Sequence, residues 1–447
     1  MKMTDNAGPI LIHGARVLDP GRGVDAVEDL LLGREGILAS RTATPVATID
    51  ARGLLLVPGF VDLHCHLREP GEEHKETIRT GLEAAARGGF TTVCAMPNTR
   101  PPIDNAAVVE RVLAAAGAAG RGRVLPIGCV TAGRAGEHLA ELAELAEAGC
   151  VAFSDDGSPV ADAELMRRAL EYAGGLGLPI IDHCEDPALA RGGVMHEGWV
   201  ATRLGLRGQP AAAEEAMAAR DIRLAALTGA HVHLAHISTA GTVALLRQAK
   251  REGLPITAEV TPHHLALTHE AVLYGPPDSL LPAYDTHARV NPPLRAESDR
   301  RACLEALADG TIDCVATDHA PHARTDKECE FDIAAPGISG LETALGVLLT
   351  LVDEGALTLE RAIEAVTIGP VRALGLDRRL PGLGTLAPGA PADAVLIDLD
   401  ARWQVEPEHF ASLGKNTPFR GRTLRGRVVA TFSGGRLIYD ARAAARV

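Results

Sequence analysis

Between residue 54 and about residue 355, short apolar, β-branched runs alternate with longer stretches whose apolar residues recur at helical spacing. The runs are LLLVPGFVDLHCH, TTVCAMPN, RVLPIGCV, CVAFSDD, LPIIDHCE, HVHLAHIS, LPITAEVTPHH and DCVATDH, eight in all. Between them lie segments such as ETIRTGLEAAARG, AAVVERVLAAAG, HLAELAELAEAG, DAELMRRALEYAGG, AAEEAMAARDIRLAALTG and TVALLRQAKREG, each closing near glycine as helix C-termini do. Strands alternating with helices of this length predict parallel β-α units. Eight units predict an α/β fold, a closed (β/α)8 TIM barrel over residues 58–379, with an open doubly wound sheet as the alternative. The two ends carry a different pattern. ILIHGARVLDP, VEDLLLGREGILA and TIDARGLLLVP in residues 1–57, and PADAVLIDLD and RGRVVATFSGGRLI in residues 380–447, are short strands joined by Gly and Asp turns. They predict one composite β-sandwich domain built from both termini. Thr268–Asn291 is Pro-rich and irregular, a long loop after the seventh strand, where function is often carried.

Composition narrows the function classes. A chain of 447 residues accommodates a barrel with a smaller domain beside it. Aromatic residues are only 3%, so the core must be aliphatic. The formal charge of −14 and the lack of any basic block argue against nucleic acid or an anionic membrane as partner. An anionic small molecule held by a few arginines stays open. The eight cysteines form no C-x-x-C pair, which predicts free buried thiols in a reducing compartment. The segment MKMTDNAGPILIHGARVLDPG lacks the apolar core of a secretion signal, and no apolar stretch is long enough to span a bilayer. A soluble, cytoplasmic protein is expected.

The chemistry lies at the strand ends. Side chains two apart in a strand share a face, so Asp62, His64 and His66 are expected to point together into the barrel at the C-terminal end of its first strand. That is the end where barrels carry their active sites. Asp156 ends the fourth run, His183 the fifth, His236 the sixth and Asp318 the eighth. Four histidines and two carboxylates at one rim form the nitrogen and oxygen set of a two-metal hydrolytic site. Imidazole suits Zn²⁺ but also accepts Mn²⁺, Co²⁺ or Fe²⁺. Asp62 is read as orienting a histidine rather than binding metal. Asp155 points to the opposite face, and His231, His233, His263 and His264 are left without a role.

DLHCHLREPG and ATDHAPHARTDK closely resemble the two motifs of dihydroorotases, in the amidohydrolase superfamily. MPNTRPPIDN, FSDDG, DHCED, LAHIS, VNPPLR and PGISGLET match that family in the same order, so the resemblance runs through the whole barrel. ADAVLIDLD is similar to the C-terminal sheet of cyclic amidohydrolases. Cys65 departs from the usual aliphatic residue between the two histidines. Many two-metal relatives bridge their ions with a carbamylated lysine at the end of strand four. The lysines of this chain are Lys2, Lys75, Lys250, Lys327 and Lys415, none of them there. Asp156 is then the bridging candidate, as in the dihydroorotase subgroup that uses an aspartate.

The resemblance implies one Zn²⁺ held by His64, His66 and Asp318 and a second by His183 and His236, with Asp156 shared. It implies a hydroxide nucleophile between the ions and Asp318 as general acid and base. It also implies a substrate site of His66, Arg68, Asn98, Asn291, His322, Pro336 and Gly337, with Arg68 on a substrate carboxylate. The activity implied is the reversible cyclisation of N-carbamoyl-L-aspartate to (S)-dihydroorotate in pyrimidine biosynthesis, by a homo-oligomer (a dimer) that could also associate with aspartate carbamoyltransferase. Two alternatives are a metal-less scaffold for that transferase, disfavoured because all six ligand candidates are present, and a hydantoinase or allantoinase, disfavoured by Arg68.

Overall fold

Leu54–His66 reads as one apolar run, but the chain divides it at Gly59, because a side chain there would collide with Thr91. In this computed structural model, which describes residues 8–39, 44–274 and 283–444, the first half, Leu55–Pro58, belongs to the sheet formed by the chain ends. Only the second half enters the barrel. Its eight strands are β1 (Phe60–Cys65), β2 (Phe90–Ala95), β3 (Arg123–Gly128), β4 (Ala152–Phe153), β5 (Ile180–Asp182), β6 (Val232–Leu234), β7 (Ile256–Val260) and β8 (Cys314–Val315). They are hydrogen-bonded in sequence order and all parallel. The ring closes where His66 N donates to His319 O at 2.9 Å, beside a parallel bridge between Cys65 and His319.

The helical segments fall where their spacing places them. Ile78–Gly88 follows β1; the Thr77 side chain accepts from Thr80 N, and Gly89 ends the helix at φ 91°. Ala106–Ala119, Leu142–Ala148, Ala163–Gly175, Ala212–Thr228 and Ala240–Arg251 follow the next five strands. After β7 comes a short helix, Pro262–Ala266, then single 3-10 turns at His269–Leu273 and Thr286–Ala288. Of the expected loop, residues 275–282 lie outside the described residues.

The barrel floor is aliphatic. Val61, Leu63, Met96, Ile127 and Ile181 pack into one cluster with Val371 and Leu374 of the helix Ile368–Leu374, which plugs the barrel from below. Each such side chain, fully buried, is worth about 1.5–3 kcal/mol. Polar side chains gather towards the opposite end, and those buried in the interior need partners of their own.

Strands from both chain ends form one continuous sheet. Leu55–Pro58 lies between Ile10–Asp19 of the N-terminal part and Ala394–Gln404 of the C-terminal part. Ile12, Leu32, Leu56, Leu396 and Phe432 fill its core. Residues 1–7, 40–43 and 445–447 of these end segments lie outside the described residues. All eight cysteines are free thiols, and all but Cys329 are buried. Among the described residues no helix is long and apolar enough to cross a membrane.

Candidate metal centre

All six side chains proposed as ligands converge at the C-terminal rim of the barrel, and every one is buried. Asp156, just past β4, is the hub. Its carboxylate lies 3.3 Å from His64 Nε2, 3.6 Å from His66 Nε2, 3.6 Å from His183 Nδ1 and 3.5 Å from His236 Nε2. Asp318 Oδ1 is 3.0 Å from His66 Nε2 and 3.7 Å from His64 Nε2. His183 Nδ1 and His236 Nε2 face each other at 2.9 Å. Two triads, His64–Asp156–His236 and His64–His66–Asp318, each hold their ligand atoms within 4.8 Å of one another.

The backbone is bent to achieve this. Of the five non-glycine residues with positive φ among the described residues, three are at the site: Arg68 (60°), His236 (30°) and Asp318 (44°). Such conformations cost of order 1–3 kcal/mol each and persist only where the surroundings over-determine them. Here they turn side chains inward just past the strand ends.

The donor set fits divalent cations. His64 Nε2 and Asp156 Oδ1 are buried at the centre with no hydrogen-bond partner, which is uncommon for polar atoms unless something else satisfies them. The local field favours positive charge. Burial pulls the His64 pKa down, but Asp156, Glu259 and Asp318 override it and hold the ring well above its ordinary value. At His183 burial is likewise outweighed, by Asp156 and Glu185, and the pKa rises to about 10. Burial pushes the Asp156 carboxyl up, yet the surrounding imidazoles hold it well below the usual range. Cations are the natural substitute for the protons that His64 and His183 would otherwise hold, while burial holds His66 below its ordinary value. Among the described residues no lysine intrudes: Lys75 pairs with Glu72, Lys250 with Asp313, Lys327 donates to Thr286 O and Arg289 O, and Lys415 to Phe410 O and Ser412 O.

The outer nitrogens of three of the four rings have neighbours as well, while His236 Nδ1 is buried with no hydrogen-bond partner. His66 Nδ1 donates to Asn98 Oδ1 at 2.8 Å, while Asn98 Nδ2 donates to Asp156 Oδ2 at 3.4 Å. Asn98 thus ties one histidine to the hub. Asn291 Nδ2 lies 3.3 Å from His183 Nε2, and Glu185 Oε2 lies 3.7 Å from the same nitrogen. Asp62 does not orient a ring. It accepts from Thr317 N at 2.8 Å and Thr317 Oγ1 at 2.6 Å, because β8 ends at Val315 and the next free amides need an acceptor. The carboxylate on His64 Nδ1 is instead Glu259, at 2.9 Å. Asp155 points away, accepting from Val130 N and Thr131 N.

Beside the cluster lies an arginine without a counter-ion. Arg68 is 8% exposed and forms no ion pair among the described residues; Nε donates to Pro321 O at 3.2 Å, and Nη2 is 3.5 Å from His322 Nε2. Glu69 accepts from Ile78 N and Glu72 pairs with Lys75; Glu72 offsets the burial of Arg68 through space but forms no ion pair with it. His322 Nε2 donates to Pro336 O at 2.9 Å. Burial, then Arg68, Lys327 and Lys75, lower the His322 pKa to about 2, so the ring is neutral. Gly337 sits at φ 148° against Ala320 and His322, where a Cβ would meet Ala320 O at 2.8 Å. Asn416, from the C-terminal part, stitches this wall. Its side chain accepts from His322 N and donates to Ala320 O and Gly337 O.

A family model described as dihydro-orotase-like matches residues 53–242. The dihydroorotase of an Anaeromyxobacter species (strain K) is 54% identical over 435 residues, 96% of this chain and 98% of that protein. The dihydroorotase of Pelotomaculum thermopropionicum is 52% identical over 437 residues, 97% of this chain and 99% of that protein. Among solved structures, the L-hydantoinase (dihydropyrimidinase) of Arthrobacter aurescens superposes with a TM-score of 0.83 at 25% identity, covering 97% of this chain and 96% of that one. The dihydropyrimidinase of Brevibacillus agri superposes at 0.80 with 23% identity, over 97% of this chain and 95% of that one, which speaks for the fold. With half its residues shared along nearly its whole length with proteins of that name, the chain belongs to the dihydroorotase family.

Proposed function

We propose that the protein is a dihydroorotase that interconverts N-carbamoyl-L-aspartate and (S)-dihydroorotate at a centre of two Zn²⁺ ions. One would be held by His64, His66 and Asp318, the other by His183 and His236, with Asp156 between them. The observation that carries this reading is the buried, unpaired Arg68 beside a histidine and carboxylate cluster: both substrates carry a carboxylate next to the reacting amide. A planar guanidinium can take that group bidentately. Hydantoins lack it, which separates this reading from the activity of the structural neighbours.

Bound cations would bring water deprotonation towards neutral pH and polarise the attacked carbonyl. The residues do the rest. In ring opening, Asp318 takes the proton from the attacking water and passes it to the ring nitrogen as the amide C–N bond breaks. An amide nitrogen leaves poorly until protonated, so this delivery matters as much as the attack. In ring closure the same carboxylate takes the ureido N–H proton as nitrogen bonds to the side-chain carboxyl carbon, and passes it to the oxygen that departs from that carbon as water. Arg68, His322, Asn98, Asn291 and the Pro336–Gly337 turn would hold the substrate, with His66 shared between metal and substrate. A cytoplasmic homodimer that can associate with aspartate carbamoyltransferase belongs to the same reading, supported by the family resemblance.

The test is a substrate panel on metal-analysed protein, with an Arg68→Ala variant. Wild-type protein is expected to turn over carbamoyl aspartate and dihydroorotate in preference to hydantoin and allantoin. Arg68→Ala is expected to weaken carbamoyl aspartate binding by about 1.5–3 kcal/mol, roughly 10- to 150-fold, the scale of a hydrogen-bonded charge. Hydantoin as the preferred substrate, or unchanged affinity in the variant, would place the carboxylate contact elsewhere.

A further inference from the structure

Beneath the centre a chain of polar side chains descends through the barrel interior. His64 Nδ1 is 2.9 Å from Glu259 Oε1, and Glu259 Oε2 is 3.2 Å from His233 Nε2. His233 Nδ1 is 2.8 Å from Thr257 Oγ1, which is also 2.8 Å from His231 Nε2. His64, Glu259 and His233 are each 0% exposed, on three different strands. Burying a carboxylate and two imidazoles above an aliphatic floor is costly unless every polar atom is matched. Here Glu259 fixes the direction of the bonds made to it.

A carboxylate can only accept, so both rings must donate to Glu259. His233 then carries its proton on Nε2, and its Nδ1 lies 2.8 Å from Thr257 Oγ1, a hydroxyl that also donates to Ala373 O at 3.1 Å and lies 2.8 Å from His231 Nε2. His64 carries its proton on Nδ1, which leaves a lone pair on Nε2. That is the atom that faces Asp156 and Asp318 with no hydrogen-bond partner of its own.

Resting on the metal-centre reading above, we propose that Glu259, braced by His233, is a positioning residue: it fixes the tautomer and tilt of His64 and thereby sets how tightly the centre holds its cations. It touches neither substrate nor reacting atoms. A glutamine in its place could still accept from one ring, but its NH₂ would face the other ring's N–H, forcing that ring to flip or to withdraw. Partners of this kind are typically worth 10- to 100-fold in metal affinity.

The test measures Zn²⁺ bound by the full chain in a chelator-buffered series, with far-UV circular dichroism on each sample. Wild-type protein that takes up no zinc removes the metal-centre reading, and this inference with it. If wild type binds, folded Glu259→Gln is expected to bind zinc about 10- to 100-fold more weakly. Unchanged zinc affinity in that variant, with wild type binding, overturns the inference alone. If Glu259→Gln does not fold, His233→Leu decides: it removes the donor that braces Glu259 and leaves the carboxylate. Weaker zinc binding in the folded His233→Leu protein supports the inference, and wild-type affinity overturns it.

Discussion

Asp318→Asn is expected to lower kcat by about 10²–10⁴-fold, the range of a lost general acid and base, with the chain still folded. The substitution is close to isosteric. Its amide oxygen can still sit 3.0 Å from His66 Nε2, so the geometry is largely preserved. What it cannot do is take a proton from water and return it to the ring nitrogen. The loss should appear in both directions of the reaction, because the same carboxylate serves both. Zinc content measured on the same sample separates the two tasks of Asp318: a rate loss at unchanged content assigns it to proton transfer. Turnover within about threefold of wild type would take Asp318 out of that role.

Asp156→Ala is expected to be at least as severe, by a different route. Its carboxylate is the only one within 4 Å of a ring nitrogen of all four histidines among the described residues. Removing it leaves Asp318 on His64 and His66 alone, with no anion common to all four rings to offset repulsion between two cations. Zinc per chain should fall from two to one or fewer, and affinity should fall by more than the roughly 10- to 100-fold cost of losing a ligand's outer partner. Added zinc should not restore turnover. A variant that retains two ions per chain would mean that something other than Asp156 joins them.

Much of this site could be read from the sequence because barrel topology sends chemistry to strand ends. Asp156, His183, His236 and Asp318 each close an apolar run, so their convergence followed from counting strands. The runs overstate strand length: β4 and β8 have two residues each, β5 and β6 three. The remaining residues of those runs leave the ladder to carry side chains inward, as the positive φ of His236 and Asp318 records. Two-residue alternation failed at Asp62, where the pairing of β1 with β2 shifts register between Asp62 and Cys65.

Glu259 was missed for a different reason. It is a single acid in LPITAEV, and its partner His64 is 195 positions away. The available signal was a carboxylate inside an apolar strand, which must find a buried donor. Asn416 had no such signal. It lies 94 residues beyond His322 in an aperiodic segment, and only the return of the C-terminal part to the barrel rim makes it a neighbour of the Gly337 turn.

Anomalous diffraction from crystals of the zinc-loaded protein tests the central claim most directly. Two peaks about 3.5–4 Å apart are expected on either side of the Asp156 carboxylate, one against His64, His66 and Asp318 and the other against His183 and His236. A single peak, or peaks whose ligands exclude Asp156, would contradict it.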